Sequence, residues 1–101
     1  MDDLKQYKID VLPAALTDID NIVAYLNTLS TQTAGKHLDE IDGGINSLRV
    51  FPFRCPPAKN EKYAKLGYRY LVVGYYLVFF TVENDTVKIR RIVDGRRNYT
   101  S

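Results

Sequence analysis

The sequence predicts an α+β domain with the element order β-α-α-β-β-β. In it an antiparallel meander sheet carries an N-terminal helical hairpin packed on one face. Three observations carry this reading. Apolar residues recur at helical spacing through residues 16–48. From residue 68 onward, runs rich in Tyr, Phe, Val and Ile alternate with short turns. The connections between those runs are too short for crossovers, so neighbouring strands must be antiparallel. At 101 residues, the chain 1–101 has the size of one domain.

The elements follow in order. "YKIDVL" (7–12) is a short strand closed by Pro13, which suits a first helical turn because its missing N–H costs nothing there. Leu16, Ile19, Ile22, Val23, Leu26 and Leu29 then form the stripe of a first helix. Asp18 and Asp20 lie toward its N-terminal end, where the helix dipole favours anions. "STQT" (30–33) breaks and recaps the chain. A second helix follows, with Ala34, Leu38, Ile41, Ile45 and Leu48 on one face. Gly43 and Gly44 fall off that stripe and weaken the helix by about 1 kcal/mol each relative to Ala. Residues 51–65, with three of the four prolines, read as a connecting loop. The strands are 68–73, 75–82 and 86–94, separated by Gly74 and the turn "END" (83–85).

Composition narrows the chemistry. One Cys and one His offer neither an internal disulfide nor an all-protein zinc site, so no metal or cofactor is expected. The acidic "MDDLKQY" start has no signal-peptide core, and no apolar run approaches the roughly 20 residues that span a bilayer. A cytoplasmic protein without membrane contact is the expectation. His37 lies off the apolar stripe and reads as a surface residue. The acids sit mostly on the helices, and nothing suggests a converging carboxylate pair.

Charge is polarised. Residues 1–53 hold four Lys and Arg against eight acids, whereas residues 54–101 hold ten against four. That asymmetry points to an anionic partner. Arginine forks grip phosphate and aromatic rings stack on unpaired bases, so Arg90, Arg91, Arg96, Lys62, Lys65 and Tyr76 are candidate RNA-binding residues. Strand parity sets Arg91 on the same face as Val87, Ile89 and Val93. Either a bulge intervenes or Arg91 is a structural arginine near the sheet end.

The element order, together with "PAALTDIDNIVAYL", "SLRVFPFRCPP", "GYRYLVVGYYLVFF" and "RIVDGRRNY", resembles the RelE/ParE toxin superfamily of bacterial type II toxin–antitoxin systems. The resemblance runs along nearly the whole chain. It implies a toxin neutralised by a cognate antitoxin, with operator DNA contacted only through that antitoxin. In the RelE branch it implies a metal-independent endoribonuclease that cuts messenger RNA on the ribosome. Carried over residue by residue, Arg97, Tyr99 and Arg69 are the expected catalytic residues. Arginines would stabilise charge on the phosphoryl oxygens, and Tyr99 would move a proton. After Gly74 the family's nucleases carry an arginine where this chain has Tyr76. That departure keeps open the ParE branch, which inhibits DNA gyrase by binding, and an attenuated, non-catalytic toxin.

Overall fold

The computed structural model describes residues 5–96. Strand β1 (Lys8–Val11) leads into α1 (Pro13–Asn27) and α2 (Thr31–Ser47). A 3-10 turn (Pro52–Arg54) and α3 (Glu61–Lys65) then precede β2 (Arg69–Val73), β3 (Tyr76–Glu83) and β4 (Thr86–Asp94). Pro13 occupies the start of α1 as expected, and the Ser30 hydroxyl caps α2 by accepting from the Thr33 N–H.

The expected meander is present, and the sheet order is β1-β4-β3-β2. β1 adds to β4 in parallel, which makes the sheet mixed rather than purely antiparallel. The segment read as a plain loop contains the two short helices. Asn60 starts α3 by accepting from the Lys62 N–H.

The core lies between the helical hairpin and one sheet face. Ala15, Ile41, Ile45 and Leu48 from the helices meet Tyr76, Val78, Phe80, Val87, Ile89 and Ile92. On α1 the buried stripe is set by Ala15 and Leu26, with Ile19 and Ile22 half-buried, while Leu16 and Leu29 face solvent. The stripe is therefore rotated by one residue at its start.

Gly44 has a packing role that its place off the stripe did not reveal. A Cβ there would lie 2.5 Å from a Val73 methyl, so the missing side chain lets α2 approach β2 closely. Gly43 has nothing within 4 Å of such a Cβ. Opposite effects are expected from one substitution at adjacent positions. Gly43→Ala should raise stability by about 0.5–1 kcal/mol through helix propensity alone. Gly44→Ala should lower it by about 1 kcal/mol or more, because overpacking outweighs that gain. Urea denaturation of the two variants reads the difference, and equal shifts would remove the close-approach argument.

Candidate functional site

Three residues, 66–68, join α3 to β2, and the sheet face away from the hairpin is left open. On it β3 presents Leu77, Phe79 and Thr81, and β2 presents Tyr70 and Val72 opposite Phe79 and Leu77. The register between β3 and β4 shifts between Phe79 and Phe80: Phe79 opposes Arg91 and Phe80 opposes Ile89. Arg90 is the extra residue of a β-bulge. The bulge resolves the parity conflict, because it lets Ile89 and Ile92 both face the core while Arg90 and Arg91 follow one another onto the open side.

A groove of about 530 Å³ results. Its floor is Phe79, and its walls are Leu12–Ala14 at the start of α1 and Ala58, Tyr63 and Tyr68 on the other side. The Arg90 guanidinium lies 5.8 Å from the centre of the Tyr68 ring, and Tyr68 packs against Tyr63 at 5.3 Å. Lys62 and Lys65 are exposed on α3, flanking Tyr63.

The cations of the groove are held by the protein's own acids. Arg90 donates to the Thr81 hydroxyl (3.0 Å) and to Glu83 (2.9 Å), and Lys88 shares that carboxylate. The two cations, Lys88 first, hold Glu83 below the usual carboxylate range. Arg91 forms a two-pronged pair with Asp18 at 2.7 and 2.9 Å. The same Asp18 carboxylate accepts the Ile92 N–H at 2.9 Å. β1 ends at Val11, so this N–H on the outer edge of β4 has no strand to pair with, and Asp18 takes the strand's place. Asp18 thus serves the sheet edge rather than the dipole of α1.

Arg96 is tied to Asp94 at 2.8 Å and lies over the Tyr75 ring at 4.3 Å. Asp94 opposes Tyr76, whereas Arg69 opposes Phe80, four residues further along β3. At about 3.3 Å per residue, roughly 13 Å of sheet separates the two levels. Arg69 also belongs to the hairpin side of the sheet, like its partner Phe80. Its guanidinium donates to the Cys55 carbonyl (2.5 Å) and the Phe53 carbonyl (3.4 Å) and lies 5.1 Å from the Phe53 ring centre. Arg69 therefore does not join Arg90 and Arg91. Arg97 and Tyr99 lie outside the described residues.

Tyr76 requires a correction. Its side chain is 3% exposed and belongs to the core, so it presents no surface to RNA. Its hydroxyl shares a hydrogen bond of 3.0 Å with Nδ1 of His37, and the rings meet edge to face at 5.7 Å. His37 is accordingly half-buried with a defined partner, not a free surface residue. Burial, then Asp94, push the Tyr76 hydroxyl above its ordinary value near 10; Arg96 pulls the other way and Glu40 adds a smaller push. The unfolded chain would release this proton first, so the folded state binds more protons at high pH. Stability should be fully present below about pH 10 and fall as pH rises through the folded value. Tyr76→Phe should flatten that alkaline limb in a stability profile, and an unchanged slope would remove Tyr76 as its source.

Among the described residues, no group of three His, Cys, Asp or Glu side chains is placed to hold a metal ion. No helix among them is long and apolar enough to cross a membrane.

The two-helix hairpin on a four-stranded sheet, with a basic and aromatic groove on the opposite face, belongs here to a small toxin of a type II toxin–antitoxin system. The sequence pattern described as "ParE toxin of type II toxin-antitoxin system, parDE" matches residues 9–99, and the chain belongs to that family. Among solved structures, the chain is similar to one from a chromosomal ParDE toxin–antitoxin system of P. aeruginosa. That match has a TM-score of 0.75 at 19% identity and covers 89% of this chain and 97% of the other. It is also similar to a chain of the RelBE2 toxin–antitoxin complex of Mycobacterium tuberculosis, with a TM-score of 0.60 at 18% identity, covering 93% and 97%. No curated protein sequence matches the chain.

Proposed function

We propose that this toxin acts by binding a protein target, DNA gyrase, and that a cognate antitoxin holds it inactive. The observation that carries the reading is how the candidate arginines among the described residues, Arg69, Arg90, Arg91 and Arg96, are committed. Arg69, expected on a nuclease site, is turned to the hairpin side and donates to backbone carbonyls. Arg90, Arg91 and Arg96 are each paired with a carboxylate of this chain. A phosphoryl-transfer site needs fixed cations aimed at the developing charge. Cations already neutralised by neighbours, and split between two faces, suit recognition of a partner's surface better than catalysis.

The open-face groove supports the antitoxin part of the proposal. An acidic segment can exchange its carboxylates for Glu83 and Asp18 on Arg90 and Arg91 while an apolar side chain enters between Phe79 and Tyr68. Such a segment would order on binding. Cleavage of ribosome-bound messenger RNA is the second reading. The gathering of Arg90, Arg91, Tyr63 and Tyr68 around one groove favours it, because aromatic rings and cations together suit a single strand.

Two reactions with the purified toxin separate them. Under the first reading, gyrase loses supercoiling activity in proportion to added toxin, and a defined message on the ribosome stays intact at its A-site codon. A cut message with unimpaired gyrase would overturn the proposal. Co-expressed antitoxin should restore supercoiling.

A further inference from the structure

The stretch "RVFPFR" (49–54) carries two exposed phenylalanines and two arginines, and neither the groove nor its chemistry uses it. It straps the end of the core on the hairpin side, opposite the face that carries the groove. Phe51 is 62% exposed and Phe53 56%. Phe51 also adopts a left-handed backbone, φ 51° and ψ 54°, which is unfavourable for a bulky residue. Arg54 enforces it, donating to the Val50 carbonyl (2.8 Å), the Phe51 carbonyl (3.1 Å) and the Ser47 hydroxyl (3.0 Å). The chain thus spends hydrogen bonds to hold a strained turn whose product is an aromatic ring in water.

Around this turn the cations differ in their partners: Lys5 is paired with Asp85 at 2.9 Å, whereas three arginines are held by neutral groups. Arg49 bonds to the Asn46 side-chain oxygen and the Tyr7 carbonyl, Arg54 to carbonyls and a hydroxyl, and Arg69 to the Cys55 and Phe53 carbonyls. Among the described residues, none of these three guanidinium groups has a carboxylate within ion-pair distance. This contrasts with the groove, where Arg90 and Arg91 are neutralised by Glu83 and Asp18. A concavity of about 330 Å³ opens here between Tyr7, Phe51 and Phe53, with Lys5 and Arg54 at its rim.

We infer that this end of the molecule is a second docking surface, one that takes an acidic peptide segment with an apolar anchor side chain. Arg49, Arg54 and Arg69, which pair with no acid among the described residues, complement the carboxylates, and the corner between the rings takes the anchor. Ring geometry favours a peptide over a nucleic-acid strand. Tyr7 and Phe53 meet edge to face at 78°, and a cation already covers one face of each, Lys5 at 4.9 Å and Arg69 at 5.1 Å. They form a corner, not a row of platforms for successive bases. The surface does not depend on which target the open face serves.

Fluorescence anisotropy with a labelled heptapeptide, Glu-Glu-Asp-Phe-Asp-Glu-Glu, tests the inference at low ionic strength, with an octauridine strand in parallel. The acidic peptide should bind the full chain at least about tenfold more tightly than its Gln/Asn counterpart. Phe51→Asn and Arg49→Gln should each weaken binding several-fold, and together by about tenfold or more. Asn tolerates the left-handed turn, so thermal melts should show Phe51→Asn folded. Tighter binding of octauridine than of the peptide would overturn the inference. Peptide binding that is absent, or unchanged in the folded double variant, would do the same.

Discussion

Asp18→Ala is expected to destabilise the fold by about 3 kcal/mol, among the larger effects of any single change outside the core. One carboxylate does two jobs there. It pairs both prongs of Arg91, and it accepts the Ile92 N–H on the edge of β4 beyond the end of β1. The Asp18 side chain is only 12% exposed, so water replaces it poorly on that N–H. Arg91 is 53% exposed and can rehydrate, which keeps the loss toward the lower end for a broken pair. For a domain of this size, about 3 kcal/mol corresponds to a fall of roughly 15 °C in Tm. Asp18→Asn should lose about half as much, because the amide oxygen still accepts from Ile92. A melt of Asp18→Ala within about 3 °C of the parent would show that β4 needs no closure at this edge.

Much of the fold was legible, and the reasons are local. The helical spacing of α1 and α2 and the turn at Gly74 each declare themselves within a few residues, although Leu16, Leu29 and Leu38 of the expected stripes face solvent. Gly74 has φ 57°, as the first position of a tight hairpin turn requires. The parity conflict at Arg91 was a true signal of the bulge, since only an inserted residue lets Ile89 and Ile92 share a face. The illegible parts are contacts distant in sequence. Arg91 meets Asp18 across 73 positions and His37 meets Tyr76 across 39, and no periodicity reports either. α3 spans five residues, too few to show a period. The side of the sheet taken by Arg69 was hidden for a different reason. β2 is apolar at Leu71 and Val73 and also aromatic or apolar at Tyr70 and Val72, so parity alone does not say which face the hairpin covers. Arg97 and Tyr99, on which the catalytic expectation leaned most, lie outside the described residues.

Arg69 is where the structural and catalytic expectations part, and Arg69→Ala is the variant that divides them. If the guanidinium serves the fold, its loss strips the part-buried Cys55 carbonyl of a charged donor and Phe53 of its cation. A hydrogen bond from a charged group contributes about 1.5–3 kcal/mol, and a partly exposed cation–π contact about 0.5–1 kcal/mol. A loss of about 2–3 kcal/mol is therefore expected, seen as a lower urea midpoint. Cys55 gives an independent readout. Burial raises its thiol pKa against the weaker pull of Arg54 and Arg69, which makes it slow to react in the native chain. Once Arg69 no longer holds the 53–55 segment, thiol labelling should accelerate well below the global unfolding transition. Arg69→Lys should restore little, because a single ammonium does not reproduce the fork that spans two carbonyls and a ring. A catalytic arginine behaves in the opposite way: Arg69→Ala would keep its urea midpoint and its slow thiol and lose toxicity all the same. That combination would reinstate Arg69 as a group that acts on substrate and would count directly against the protein-binding mechanism.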